Sequence, residues 1–571
     1  MISNSNKQVC PLILALWAVI SLCSADLNAD VPTQKSQEAA ATGIEEEKSE
    51  PPFTQSTPPQ QPSTFDLFEL RVKGSTKIDK KQLERTLYPF LGPKKNLETV
   101  DLARVALEDL YKAQGYQIVT VDIPEQDVKN GVVYLQVVEG KVSRLKVKDA
   151  RYFSMGAIKA AVPELAEGNV PHFPTMQKQL AALTAESSDR KVQPILRAGD
   201  TPGTVEVDLK VKDEMPLHGK VEMNARNNAN TSRLRLVSSL HYDNLWQAMH
   251  SASFTYQVSP ENSDQVEVMA GTYALPLFDT DMKLSMYGVK NASNTKTQSA
   301  NVGDMTVIGA GEVFGARLIK PLDTLGNYTH SFIQGIDYKS FKQTSTASSE
   351  VQYLPFMTQY AGSVRGEQSY TSFDITLNYS FRGFGNDQKQ FEAKRLNAKA
   401  NYIFLSSDVK VQHELPYGME VKSHFTGRIS DSPLIQNEQY SLGGAFNVRG
   451  YYETQALADS GVFGSFELYS PSLGELDEEY FNNFKLMTFL DGGQGWITDP
   501  QKSGTQYFFP NQYSLASSGA GFNFHIKKLF IAAFDVGFPL INFDDKSDLK
   551  NIKHVIKAGD PRIDFSVATE F

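Results

Sequence analysis

Side chains spaced for catalysis are scarce in this sequence. The run HELPY, from His413 to Tyr417, opens as a His-Glu-x-x-His zinc site would, but Tyr417 stands where the second histidine is needed. No G-x-S-x-G turn lifts a serine nucleophile. The nine histidines are scattered and read as surface or lumenal groups rather than ligands. The only cysteines, Cys10 and Cys23, lie in the first apolar segment. A chain that has lost that segment has no disulfide, thiolate metal site or cysteine nucleophile. No metal and no cofactor is expected, and no enzymatic activity.

One charged pair stands out instead. The stretch SLGGAFNVRGYYE, residues 441–453, sets Arg449 between Val448 and the dipeptide Gly450-Tyr451. Further on, LMTFLDGGQGW places Phe489, Asp491 and Gly493 at alternate positions. In a strand these three face one way, while Leu486, Thr488 and Leu490 face the other. If the apolar set faces lipid, Asp491 faces a lumen. A guanidinium on an inward-folded loop would then hold it through a charge-assisted, bidentate bond. Gly443, Gly444 and Gly450 would let such a loop bend sharply. On the residues alone a second reading stands beside this one: a surface turn and an ordinary strand end.

The elements that must position these residues alternate strictly. From about residue 215 to 571, strand follows strand with period two and no helical pattern. In YTSFDITLNYSF, Thr371, Phe373, Ile375, Leu377, Tyr379 and Phe381 share one face, and Ser372, Asp374, Thr376, Asn378 and Ser380 the other. SASFTYQV, RLRLVSSLHY, LFIAAFDVGF and the terminal RIDFSVATEF behave alike. One apolar and one wet face fit either a large soluble β-structure or a membrane barrel, apolar outside and polar within. Spacing favours the barrel: about 16 strands leave about 22 residues per strand and loop, of which a membrane strand uses about 9–11. The chain ends on Phe571, after Phe565 and Val567 at alternating spacing, the pattern of an outer-membrane insertion signal.

Upstream the period changes. Residues 65–214 read twice in the order strand, helix, helix, strand, strand, in units of roughly 75 residues. In NLETVDLARVALEDLYKAQGY, Leu102, Val105, Ala106, Leu110 and Tyr111 share a helical face, and Gly115 closes the helix. The first unit runs through VVEGKV directly into the second, as a stiff arm would. Residues 26–64 are rich in Pro, Gln, Ser and Glu and read as a disordered linker with room for a short helix around 37–48. Residues 1–25 read as a secretory signal: Lys7, an apolar core from Val9 to Cys23, then Ser24-Ala25. The net charge of -10 argues against a nucleic-acid partner.

Several motifs, in order, resemble the TpsB transporters of two-partner secretion. These are the ShlB/FhaC-like haemolysin secretion/activation proteins of the outer-membrane assembly factor superfamily. NVRGYYE (447–453) is similar to the family's loop motif and FLDGG (489–493) to its wall motif. DIPEQDVKNGVVYLQVVEGKV (122–142) and VQPILRAGDTPGTVEVDLKV (192–211) resemble its two periplasmic modules. YDNLWQAMHSASFTYQ (242–257) and GSFELYSPSL (464–473) resemble barrel strands. The resemblance covers residues 65–571 and implies a mostly β chain. Two α/β POTRA domains, 65–140 and 141–214, would precede a 16-stranded transmembrane antiparallel β-barrel, 215–571, in the bacterial outer membrane. The POTRA domains would bind an unfolded TpsA-like partner of the haemolysin, haemagglutinin or adhesin class. The barrel would pass it outward without nucleotide hydrolysis. Other implied partners are outer-membrane lipid and, during biogenesis, the barrel assembly machinery and periplasmic chaperones. The loop motif Val448, Arg449, Gly450 and Tyr451 would dock on Phe489, Asp491 and Gly493, with Arg449 and Asp491 paired. Some relatives plug the pore with an N-terminal helix, and none is evident here. Two alternatives remain: a barrel insertase, which usually carries more POTRA domains, and a passive porin, which leaves the two modules unexplained.

Overall fold

The computed structural model describes residues 64–128, 130–229, 231–277, 280–292, 297–299, 305–307, 309–342, 350–473, 483–500, 502–503, 506–507, 511–526, 530–543 and 556–571. The expected signal at 1–25, nearly all of the expected linker at 26–64, and any plugging helix there lie outside the described residues.

Burial of one helical face against a small sheet builds each N-terminal module. In the first, Glu69–Lys73 runs parallel to Val132–Glu139, and Val119–Asp122 pairs antiparallel on its other side. Helices Lys80–Leu87 and Leu97–Ala113 accompany this sheet. The second repeats the topology. Lys141–Lys148 runs parallel to Thr204–Asp213, Arg190–Ala198 lies antiparallel beyond it, and the helices are Met155–Ala160 and Phe173–Ala185. The alternating run at 65–73 breaks at Phe68, and Phe65–Leu67 pairs with Gly92–Lys95 in a separate sheet. One expectation needs correction. Helix Leu97–Ala113 buries Val100, Ala103, Leu107 and Tyr111, while Leu102 is 54% exposed and Val105 36%. Tyr111 belongs to the expected face and is buried, but the stripe it closes runs through Val100, Ala103 and Leu107, and its hydroxyl donates to Ser75 at 2.6 Å and Glu139 at 3.0 Å.

Glu139 ends the central strand, nearly buried. Its carboxylate accepts from the Thr76 and Lys77 amides at 2.6 and 2.9 Å, and from the hydroxyls of Thr76 and Tyr111. Burial pushes its pKa up, but these donors outweigh burial and hold it below the ordinary carboxylate value. Lys141 starts the next sheet two residues later, after Gly140. At this joint the Phe173 amide donates to the Gly115 carbonyl at 2.9 Å. Gly115 has φ +87°, and a Cβ there would stand 2.6 Å from the His172 ring. The two modules therefore touch at a close-packed joint.

Beyond residue 216 most of the described strands close into one antiparallel barrel with sixteen wall positions, and three short two-stranded sheets stand apart from it. They are β1 Leu217–Asn224, β2 Arg235–Leu245, β3 His250–Val258, β4 Glu267–Pro276, β5 Lys283–Asn291, β6 Gly311–Pro321, β7 Tyr328–Lys342 and β8 Glu350–Tyr353 with Phe356–Arg365. Then come β9 Ser369–Tyr379, β10 Ile403–Glu414, β11 Glu420–Ser430, β12 Ser460–Tyr469, β13 Asn483–Trp496, β14 Gln512–Ile526, β15 Phe530–Pro539 and β16 Arg562–Glu570. β8 is interrupted at Leu354-Pro355, where proline has no amide to donate, and both of its pieces pair with β7. β16 returns to β1 over five paired positions, against fourteen between β13 and β14. Phe571 extends that closure by exchanging two hydrogen bonds of 3.0 Å with Gly219. One helix, Gln388–Lys394, lies between β9 and β10, where only loop was expected.

The side-chain parity is that of a barrel in lipid. Leu240, Phe254, Phe314, Ile375, Leu405, Phe466 and Leu490 are all exposed on the outside. That apolar belt is far larger than a water-soluble monomer leaves uncovered. Inward positions carry polar networks such as Tyr287, Arg317 and Asp337, in which Arg317 holds Asp337 at 2.5 and 3.0 Å. The turn from β2 to β3 grips the second module: Asn244 and Gln247 side chains donate to the Tyr152 carbonyl at 3.1 and 3.0 Å, and Gln247 accepts from the Ser154 amide at 2.7 Å.

Arginine in place of Ile375, mid-strand on the outer face, is expected to cost about 2–4 kcal/mol. A lowered urea midpoint for loss of heat-modifiable gel migration would report it. Glu139→Gln is expected to weaken protection of the amides of residues 76 and 77 by about 1–2 kcal/mol, read by hydrogen exchange at neutral pH. A carboxylate with a depressed pKa stabilises fully above its unfolded value of about 4.3 and loses that contribution as pH falls through the folded value. The gap between wild type and variant should therefore close in acid.

Candidate functional site

The connection from β11 to β12 turns into the barrel instead of away from it. Its stem is a short hairpin, Tyr440–Leu442 against Ala456–Ala458. Gly443 and Gly444, at φ +94° and +118°, begin the bend, and Gly450, at +84°, lets the tip reverse. Val448 and Tyr451 are fully buried, and Arg449 nearly so.

A buried guanidinium must have its donors satisfied, since an unpaired one would cost several kcal/mol. Arg449 meets this with Nε to Asp491 Oδ2 at 2.8 Å, Nη2 to Asp491 Oδ1 at 2.8 Å and Nη1 to Glu467 Oε1 at 2.7 Å. Its own amide also donates to Asp491, at 3.1 Å, and its Nη2 reaches Ser465 Oγ at 3.1 Å. Ser465 in turn donates to Asp491 at 2.7 Å. The guanidinium carbon lies 3.6 Å from the centre of the Phe489 ring, so a cation–π contact covers its open face. The structure thus brings Arg449, Phe489 and Asp491 into one cluster.

The glycines of the wall make room for this contact. A Cβ on Gly493 would meet Leu442 at 2.7 Å and Val448 at 3.2 Å. One on Gly519 would strike Phe489 at 2.3 Å, and one on Gly537 would stand 2.6 Å from the Gly450 amide nitrogen. Tyr451 reaches across to the next strands, donating to the carbonyls of Ile541 at 2.7 Å and Ala516 at 3.0 Å. The tip also touches the closing strands: Arg226 stacks on Phe446 at 3.9 Å, Arg562 stacks on Tyr452 at 4.3 Å, and the Glu453 amide donates to the Asn227 carbonyl at 3.1 Å. Beside Arg449 a cavity of about 320 Å³ is bordered by Lys410, Lys422, His424 and Glu467. Phe571 lies apart from this cluster, its ring against Gly219.

A second clamp holds the far end, away from the N-terminal modules. Asp459, at the stem, is fully buried and accepts from Arg395 at 2.5 and 2.9 Å, and from the Leu434 and Thr498 amides at 3.0 and 2.7 Å. Glu438 accepts from Lys339 at 2.6 Å and from the Tyr353 hydroxyl. Between these clamps an apolar cluster, including Val268, Tyr287, Phe341, Tyr353, Phe391 and Leu434, packs inward-facing wall residues against the helix and loops. A polar tip and an apolar cluster thus lie on the inner side of the wall, each beside buried ion pairs. Glu467, Ser465, Arg395, Asp459, Gly519 and Gly537 were not singled out from the sequence. Glu467 had one signal, its alternation with Ser465 and Tyr469 on the inward face of β12.

Asp491→Ala strips Arg449 of its main partner while Glu467 remains. The loss is expected to be about 3–5 kcal/mol of docking energy. In the folded barrel, trypsin should then cut after Arg449, a bond it spares in wild type.

Comparison with known proteins follows the same lines. Residues 65–140 match the ShlB-type POTRA domain. Residues 203–524, more than half of the chain, match the family described as haemolysin secretion/activation protein ShlB/FhaC/HecB. The outer membrane transporter CdiB of Escherichia coli O6:K15:H31 is 23% identical over 509 residues, spanning 83% of this chain and 79% of the relative. The heme/hemopexin transporter protein HuxB of Haemophilus influenzae strain 86-028NP is 20% identical, spanning 86% of each. Among solved structures, CdiB from Escherichia coli superposes with a TM-score of 0.61 at 18% identity, covering 91% of this chain and 93% of that one. BamA from Haemophilus ducreyi lacking POTRA domains 1–3 gives 0.52 at 13% identity, covering 89% and 100%. The chain belongs to the ShlB/FhaC/HecB haemolysin secretion/activation family, the outer-membrane transporters of two-partner secretion.

Proposed function

We propose that this transporter exports one dedicated partner protein, unfolded, through its lumen, and that the loop carrying Arg449 is the obstruction the partner displaces. The observation that carries this is the two-carboxylate grip on Arg449. A salt bridge with a second acceptor beside it can be opened stepwise, whereas an apolar core cannot. Two POTRA modules, 65–140 and 141–214, receive the chain in the periplasm, followed by the barrel at 215–571. Their outer strands Glu69–Lys73 and Arg190–Ala198 are sheet edges, to which an extended segment adds by main-chain hydrogen bonds with little sequence demand. Phe68, Tyr88, Leu97 and Leu102 expose apolar surface on the first module for an unfolded chain to contact. No step uses nucleotide: the periplasm holds no ATP, and folding outside gives the direction. The protein's own insertion calls on the barrel assembly machinery and periplasmic chaperones, with Phe571 as the recognition signal. It acts in lipid as a transporter, not an enzyme.

The test is to express the protein with a secreted partner encoded beside it and measure that partner in the medium. Arg449→Ala and Asp491→Ala should each lower release by about tenfold or more, because the undocked tip also loses its brace on β12, β13 and β15, while the barrel still reaches the outer membrane. Normal release from both variants would remove the role assigned to the pair. Failure of other barrel proteins to assemble in a deletion strain, with no partner released by wild type, would favour an insertase.

A further inference from the structure

The joint between the second module and the barrel holds a group of side chains that neither the lumenal clamp nor the sheet pairing uses. His218 on β1 and His241 on β2 are direct cross-strand partners. Their rings lie 6.4 Å apart, nearly parallel. Asp189, between helix Phe173–Ala185 and strand Arg190–Ala198, comes from the second module and places Oδ2 3.1 Å from His218 Nε2. Asp243 on β2 places Oδ2 2.9 Å from His241 Nε2. One ligand atom each from Asp189, His218 and Asp243 fall within 4.8 Å of one another.

Nearby cations are directed elsewhere. Arg190 donates to the Leu183 carbonyl at 2.8 Å and to Glu186 at 3.0 Å. Lys220 lies with Glu222 and Glu570, at 3.5 and 3.2 Å. The two aspartates therefore face imidazoles, not fixed positive charge. His218 and His241 are open to solvent, at 44% and 37%, so an ion can enter from the periplasmic side.

We propose that Asp189, His218 and Asp243 hold one divalent transition-metal ion of the zinc class, and that His241 orients Asp243. A nitrogen and two carboxylate oxygens with no thiolate suit a borderline ion over a soft one. Ligand atoms about 2.0–2.2 Å from a tetrahedral ion sit about 3.3 Å apart. His218 and Asp189 already have that spacing, and the half-exposed His218 ring has the freedom to bring in Asp243. Three protein ligands leave the fourth position to water. His241 hydrogen-bonds a ligating carboxylate, the usual arrangement by which an outer residue fixes a ligand's direction. Because Asp189 belongs to the arm and the others to the first two barrel strands, the ion would fasten the arm opposite the β2–β3 turn.

The test uses untagged full-length protein in detergent micelles and zinc as the probe. Trp246, three residues from Asp243, serves as the fluorescent reporter in a background carrying Trp17→Phe and Trp496→Phe. Wild type should bind one zinc per chain by elemental analysis, with a change in Trp246 emission that a chelator reverses. His218→Gln and Asp243→Asn preserve shape and should abolish both signals. His241→Ala should weaken affinity by about 10–100-fold. Heat-modifiable migration shows each variant folded. No retained zinc in wild type, or equal affinity in His218→Gln and Asp243→Asn, would overturn the proposal. Secretion is not the readout, so the outcome is independent of the transport role.

Discussion

A strand in hydrocarbon has no water for its amides, so every backbone donor and acceptor must find a partner on a neighbouring strand. Closure of the sheet is the only solution, and the rest of this molecule follows from it. Sixteen wall positions close without a free edge among the described residues. Side chains must then alternate, apolar toward lipid and polar toward the lumen. The polar interior is thus a by-product of the membrane, and it is what allows a guanidinium and several carboxylates to sit far inside the fold.

Inside that interior, charge does what apolar packing does in a soluble core. Arg449 is nearly buried, yet its contacts are charged, polar and aromatic: Asp491, Glu467, Ser465 and the ring of Phe489. Such a cluster is specific in geometry but modest in net free energy, because desolvation offsets much of the attraction. The displacement proposed above would draw on that balance. The far end uses the opposite chemistry, an apolar cap around Phe391 and Leu434 held in place by Asp459 and Glu438.

The inward direction of Asp491 was legible from alternation, because period two assigns faces without knowledge of neighbours. Its pairing with Arg449 came from motif resemblance and charge, with a surface turn left open on the residues alone. Glu467 was not legible, since it requires knowing that β12 lies beside β13 in the register that sets Glu467 opposite Phe489. The same limit hides the joint: Asp189, His218 and Asp243 come from three elements, and no spacing along the chain announces them. Helix Leu97–Ala113 shows the converse. One face was expected, through Leu102 and Val105, and the buried stripe runs through Val100, Ala103 and Leu107 instead, because neighbouring stripes share one period and only the sheet beneath selects between them.

The loop between β11 and β12 also has a mechanical side. It grips β12 and β13 through Arg449, touches β15 through Gly450, and meets β16 and the β1–β2 connection through Tyr452, Phe446 and Glu453. It is a strut across the stretch of wall that includes the closing seam, where the ladder is shortest. Its contacts tie the lumenal tip to the least-paired stretch of the wall, so the proposed displacement of the tip would also take a brace from the closing seam.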